Sequence, residues 1–369
     1  MHPFDKLNQK EQSLRIKEIA AVFLKLGFFA YGGPVAHIAM MNEELVNKRK
    51  WLTNEHFLDL LSASNLIPGP NSTELAISIG YDRGKTKGLI VAGVTFILPA
   101  FLIVLVFAYV YSRYSTVPQL QSVLQAMTPV IIAIIMNALY KLFKSIIKKS
   151  TYLILLVGLS LLSLLRVDEI AVLALGAFIV FLVEHFHKKT MSISFPILTV
   201  ILQSEIFLKF LKIGSILYGS GYVLIAYLER DFVSQGLLTS QQLLDAVTVG
   251  QMTPGPVFTT ATFIGYQLGG VIGAILGTIG IFLPSFILVS FLVRITKFAR
   301  NSKYFSSFLN GINIASLALM LTTVINLSIG TLTSTISIAI FTVSLFVIFK
   351  TKINTMYLLI VAAFVGIFI

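Results

Sequence analysis

The chain has 369 residues, of which 56% are hydrophobic and 12% charged, with a mean hydropathy of +0.88. Soluble domains carry about a quarter charged residues, so a soluble fold is excluded and an all-α integral membrane protein is expected. With no cysteine in the sequence, disulfides, thiolate metal sites and a cysteine nucleophile are excluded. The formal charge of +12 does not call for nucleic acid. Lys and Arg cluster in short segments between apolar runs, where they orient helices and meet anionic lipid.

Residues 1–18 are polar and charged, so no cleavable leader is expected. An apolar helix is predicted over about 16–31, ending at Gly32-Gly33-Pro34, and a more polar, amphipathic one over about 34–48. Further on, Pro68-Gly69-Pro70 interrupts an apolar stretch. Proline removes a backbone donor and glycine loosens the chain, so the triplet breaks a helix. A short helix over about 71–82 completes what reads as a re-entrant hairpin, with neither arm reaching the ~20 residues needed to span. Full-length candidates follow at about 88–111, 120–143, 151–165 and 169–186.

The series then returns. Leu24-Lys25-Leu26-Gly27 recurs as Leu211-Lys212-Ile213-Gly214, and Tyr31-Gly32-Gly33-Pro34 as Tyr218-Gly219-Ser220-Gly221. Pro68-Gly69-Pro70 recurs as Pro254-Gly255-Pro256; Gly80, Gly84 and Gly88 as Gly265, Gly269 and Gly273; Leu98-Pro99 as Leu283-Pro284. The matching helices are predicted over about 205–218, 221–234, 257–267, 271–293, 306–327, 332–349 and 354–369. A shared order of this extent marks a duplicated domain, divided here as 1–190 and 191–369. Basic residues mark alternate connections: Arg83, Lys85 and Lys87, then Lys141, Lys144, Lys148 and Lys149 in the first half. In the second half they fall in the opposite phase, at Arg294, Lys297, Arg300 and Lys303, then Lys350 and Lys352. By the positive-inside rule the repeats have inverted topology. Inversion needs an odd number of crossings per unit, and the apolar stretch 192–208 is the candidate for the extra one.

In lipid, a broken helix is tolerated only where protein or a watery cavity satisfies its backbone. Paired breaks at matching places in two halves point to a transporter's binding site. The candidate binding residues are Gly32, Gly33, Pro34, His37, Pro68, Gly69, Pro70, Asn71, Ser72 and Thr73 in the first half. In the second they are Tyr218, Gly219, Ser220, Thr253, Pro254, Gly255, Pro256, Thr259 and Thr260. The Gly-rich segments serve either as close-packing points or as second helix breaks.

Asn71 and Glu74 have capping-box spacing. That is either a helix start alone or, in addition, a positive helix end offered to an anion. Glu74 is a cap or a proton-coupling acid, and Glu43 is a second candidate for coupling. Glu44, Glu229 and Asp231, like Glu43, sit on amphipathic helices and could equally be solvated. Lys25 and Lys212, at matching positions on apolar helices, either snorkel to the interface or attract an anion. His37 is a structural histidine or a proton carrier, while His185 and His187 beside Lys188-Lys189 read as an ordinary loop. No zinc-protease motif, P-loop or serine elbow occurs. No enzyme activity, cofactor or metal is therefore expected, and active transport would draw on an ion gradient or exchange.

With these residues in hand, the chain resembles the chromate ion transporter family over nearly its whole length. The resemblance rests on Phe29-Ala30-Tyr31-Gly32-Gly33-Pro34 running to His37, on Pro68-Gly69-Pro70-Asn71, and on Gly80 to Gly88. The weaker second copy matches the long, two-domain form. The second copy departs where Gly33-Pro34 becomes Ser220-Gly221 and Asn71 becomes Val257. What the resemblance implies is export of chromate across a prokaryotic cytoplasmic membrane, conferring resistance, with sulfate as structural competitor. An inorganic-anion channel is the rival transport reading. From other classes, a membrane enzyme acting on a lipid phosphate would want clustered acids or a His/Asp set, and an oxyanion sensor would not transport. Monomer and homodimer both stay open.

Overall fold

The computed structural model describes residues 4–31, 33–115, 117–165, 167–185, 205–218, 221–299, 303–351 and 353–368, and every regular element among them is helical. The first half opens with α1 (Gln9–Phe29), whose start is fixed by a capping box between Asn8 and Glu11. Helix α2 (Gly33–Met41) widens into a π-helical segment, Asn42–Lys48. After α3 (Asn54–Ser64), capped by Thr53, come the Pro-Gly-Pro break, α4 (Ser72–Tyr114), α5 (Pro118–Ile146), α6 (Ser150–Leu164) and α7 (Glu169–His185). The second half repeats this order. It consists of α8 (Glu205–Ile216), α9 (Leu224–Leu228) with a π segment Glu229–Val233, α10 (Ser240–Met252), the second break, α11 (Thr260–Ala299), α12 (Lys303–Thr331), α13 (Thr335–Lys350) and α14 (Thr355–Ile367). Gly32, Gly219, Ser220, residues 186–190 with His187 and Lys188-Lys189, and 192–204 of the stretch 192–208 lie outside the described residues.

Helices α4 and α11 are hairpins. Gly84 and Lys85 leave helical geometry (φ −140° and 52°), as do Gly269 and Gly270 (φ −150° and 58°). A Cβ on Gly80 would strike the carbonyl of Gly88, and the converse holds; Gly265 and Gly273 are related in the same way. In a continuous helix residues eight apart are separated by about 12 Å, so the short arm has folded back on the long one. The hydroxyls of Thr262 and Thr278 meet at 2.7 Å across the α11 hairpin. Glycine makes both hairpins possible because it lets two backbones approach without side chains between them.

Among the described residues, four segments are long and apolar enough to cross a membrane: Ser72–Tyr114, Pro118–Ile146, Val257–Phe291 and Ser307–Thr331. Ile90, Val94, Leu102 and Val106 along the long arm of α4 are exposed, as are Ile272, Ile287 and Phe291 on α11. Continuous apolar surface of this kind needs lipid rather than water. The chain is a multi-pass membrane protein.

The two halves pack crosswise. Helix α4 lies against α11; α5 contacts α13 and α14; α12 contacts α6 and α7. Within each half the first helix lies on the hairpin, α1 on α4 and α8 on α11. Small residues set these approaches: Gly27 sits over the Phe96 carbonyl, Gly214 over the Ile281 backbone, and Gly176 against Gly311. Lipid tails are as apolar as leucine, so tight van der Waals contact of this kind, rather than hydrophobic expulsion, drives such association. One apolar cluster runs from Val104 and Ile131 through Phe210 and Phe258 to Leu317, and so belongs to both halves.

Candidate functional site at the paired helix breaks

Both Pro-Gly-Pro segments are buried. The N–H of Gly69 donates to the carbonyl of Leu217, just past α8, and the N–H of Gly255 donates to Ala30, at the matching place after α1, each at 2.9 Å. Gly69 and Gly255 hold φ of 137° and 94°, angles that side-chain-bearing residues rarely adopt. One N–H of each break is therefore satisfied by the end of the first helix of the opposite half, which answers part of the backbone problem that lipid imposes.

The breaks share a backbone plan but differ in chemistry. At the first, Glu74 and Thr73 are fully buried on the short arm of α4. The Ser285 hydroxyl of α11 donates to Glu74 Oε1, while Glu74 Oε2 and Thr73 Oγ1 have no hydrogen-bond partner. His37, also buried, places Nε2 3.0 Å from the Ala30 carbonyl and Nδ1 3.2 Å from Ser72 Oγ. A carbonyl only accepts, so Nε2 carries the proton, and in the neutral ring Nδ1 accepts from the serine. The Ala30 carbonyl thus accepts hydrogen bonds from His37 and from Gly255, linking the two breaks through one oxygen.

At the second break the matching positions hold Thr260 for Glu74, Ala100 for Ser285, Leu224 for His37 and Phe258 for Ser72. The hydroxyls of Thr253, Thr259 and Thr260 donate to the carbonyls of Gly250, Pro256 and Val257. The polar equipment of the molecule's centre is concentrated at the first break.

Several expectations change. Asn71 stands before α4 at φ 47° with no side-chain cap bond, so the capping box read from Asn71 and Glu74 does not form. The acid turns instead to Ser285, across the interface. Lys25 pairs with Glu44 at 3.4 Å, and Lys212 with Glu169 at 2.6 Å and Asp231 at 3.0 Å. Arg49 also holds Glu44, at 2.8 Å, and Arg230 holds Glu169, at 2.7 Å. Both lysines are occupied by carboxylates on or beside the π segments, so Glu44 and Asp231 are paired and buried rather than solvated. Glu43 is exposed, bonded to Asn47 and near Lys48. That is a surface position, and it gives no support to a role in coupling. Gly33 and Pro34 open α2, and Tyr218 follows Leu217; of the Gly-rich candidates these are the ones the structure describes.

Ser285 and Glu169 escaped the sequence reading. Ser285 had a signal: it follows the repeated Pro284 in an otherwise apolar helix, where the first half has Ala100. Glu169 had none, since its partners lie on α8 and beside α9.

The family model for the chromate transporter matches residues 17–181 and again 204–367. The chain belongs to the chromate transporter family. A probable chromate transport protein of Synechococcus elongatus is 30% identical over 86% of this chain and 85% of its own length. A chromate transport protein of Pseudomonas aeruginosa is 27% identical over 95% of this chain and 91% of its own. An uncharacterised transporter of Bacillus subtilis aligns along 86% of its length with only 40% of this chain, at 29% identity. That relative is about half as long as this chain. No solved structure matches the chain.

Proposed function

We propose that the protein is a secondary transporter that moves a small tetrahedral oxyanion outward across the cytoplasmic membrane by alternating access. Chromate is the substrate and sulfate its structural competitor. The observation that carries this reading is the first break: a helix start with no side-chain cap, beside a buried Thr73 hydroxyl and a buried Glu74 oxygen without partners. A helix N-terminus favours negative charge, and free N–H groups with hydroxyls fit a tetrahedral anion from several directions. Asn71, Ser72, Gly69 and Pro70 frame this position, and the second break, with Thr253, Thr259 and Thr260, faces it as a mainly backbone wall. Lys25 locks the first repeat through Glu44, while Lys212 ties Asp231 of its own repeat to Glu169 of the other.

The repeats, 1–190 and 191–369, have inverted orientation in this reading, with the short helices at each break re-entering the bilayer. The crosswise packing of α5 with α13–α14 and of α12 with α6–α7 supports it, because it is what a two-fold relation between halves produces. Burial of both breaks supports a carrier over an open channel. The driving force is an ion gradient, the membrane potential or exchange.

The test is flux of radiolabelled chromate in proteoliposomes holding the purified protein, with sulfate as competitor. Saturable chromate movement that sulfate inhibits is expected. Absence of movement by folded protein removes the substrate, and flux at channel rates without counter-substrate effects removes the carrier.

A further inference from the structure

Glu74 has no cation to answer it. Among the described residues no ion pair includes it, and its one side-chain hydrogen bond is the donation from Ser285. The elements around it explain why. From residue 260 to 291, α11 contains no Lys, Arg, His, Asp or Glu. On α1, Glu18 is held by Arg49 and Arg83, and Lys25 by Glu44. On α3, His56 faces Asp82. On α10, Asp245 accepts from Tyr111 and Gln241. On α2, His37 is engaged by Ala30 and Ser72. A carboxylate here would sit as a bare charge on the short arm whose start is the anion site.

Resting on the oxyanion reading above, we infer that proton and anion occupy this site together: Glu74 takes up a proton as the dianion enters and returns it to water as the dianion leaves. Ionised Glu74 repels the dianion across a low-dielectric gap. Protonated, it becomes neutral, and its O–H can donate to an anion oxygen. The two bindings are therefore linked with positive sign, and the linkage is reciprocal. The cargo is a dianion plus one proton, carrying one net negative charge. A proton gradient directed inward pulls this cargo inward, so outward movement relies on the membrane potential, negative inside, or on exchange. Such a carrier is a proton–oxyanion symporter, the opposite of a proton antiporter. The second break, with Thr260 in place of Glu74, has no carboxyl to take part.

The experiment measures protons and anion together on the full-length protein in detergent. Chromate, in mildly alkaline and weakly buffered solution where it is the dianion, and separately sulfate, are added while a pH indicator is followed. Proton uptake is expected, rising toward one per bound anion as the pH is raised above the range where the carboxyl titrates. Above the range where the carboxyl titrates, affinity should tighten about tenfold for each unit of falling pH. Glu74→Gln, neutral at all pH values, should bind the anion with no proton uptake and no pH dependence. If that variant does not fold, Ser285→Ala, which keeps the acid but removes its donor, should retain the uptake with a displaced pH midpoint. Anion binding without proton uptake, or with release, overturns the inference while the oxyanion site stands. Failure of both anions to bind overturns the site itself and the inference with it.

Discussion

Gly69 donates its backbone N–H to the carbonyl of Leu217 at 2.9 Å, and so fastens the break in one half of the chain to the end of the first helix in the other. Gly255 repeats the bond toward Ala30. Neither glycine tolerates a side chain, because both hold positive φ. At Gly69 a Cβ would also run into the Glu74 carboxyl and the Ser285 hydroxyl, whereas at Gly255 it would meet the Ala100 methyl.

Gly69→Ala should therefore lower stability by about 1–3 kcal/mol from backbone strain and abolish transport by displacing Glu74. Gly255→Ala should carry a similar strain but leave part of the flux. Thermal unfolding in detergent beside proteoliposome flux separates the two. Equal flux loss in both would show that the chemical asymmetry of the breaks is irrelevant.

Removing the hydroxyl of Ser285 strands the whole Glu74 carboxyl without a side-chain partner. The cost of leaving a buried polar group unsatisfied is about 1–3 kcal/mol, so Ser285→Ala should melt lower than wild type by a corresponding amount. Ser290→Ala is the control, since its hydroxyl serves only the Phe286 carbonyl one turn back. It should melt close to wild type.

Lys212 answers two carboxylates whose side chains are almost fully buried, Glu169 and Asp231, with 3% and 5% exposure. Lys212→Met leaves Asp231 without a cation within ion-pair distance and should destabilise by on the order of 3 kcal/mol. Lys25 is 56% exposed and Glu44 keeps Arg49, so Lys25→Met should cost under about 1 kcal/mol. The ratio of the two shifts in chemical or thermal unfolding is the readout. A larger loss of anion binding than of stability in either variant would return the lysines to the binding site.

At Asn71 a backbone role and a side-chain role can be told apart, because φ 47° suits glycine better than asparagine. Asn71→Gly should fold with stability equal to or up to about 1 kcal/mol above wild type and lose about tenfold in chromate flux. That flux loss is the order expected when one hydrogen bond to an anion is removed. Full flux in this variant would mean that Asn71 only shapes the turn.

The class of molecule, the internal repeat and the positions of the breaks were legible in the residues alone. Those follow from local chemistry: apolar length, and glycine and proline at matching positions such as Gly80 and Gly265. Partner choice is a different kind of information. Glu74 and Ser285 are 211 positions apart, and Lys212 meets Glu169 across 43. No periodicity encodes which helix of the other half will stand opposite. That is why the choice between cap and acid at Glu74 stayed open until α11 was brought beside it, and why the partner of Lys25 was not visible until the π segment carried Glu44 to it. Packing between the halves sets Glu74 against Ser285, while at the other break the hydroxyls of Thr253, Thr259 and Thr260 turn back onto backbone carbonyls.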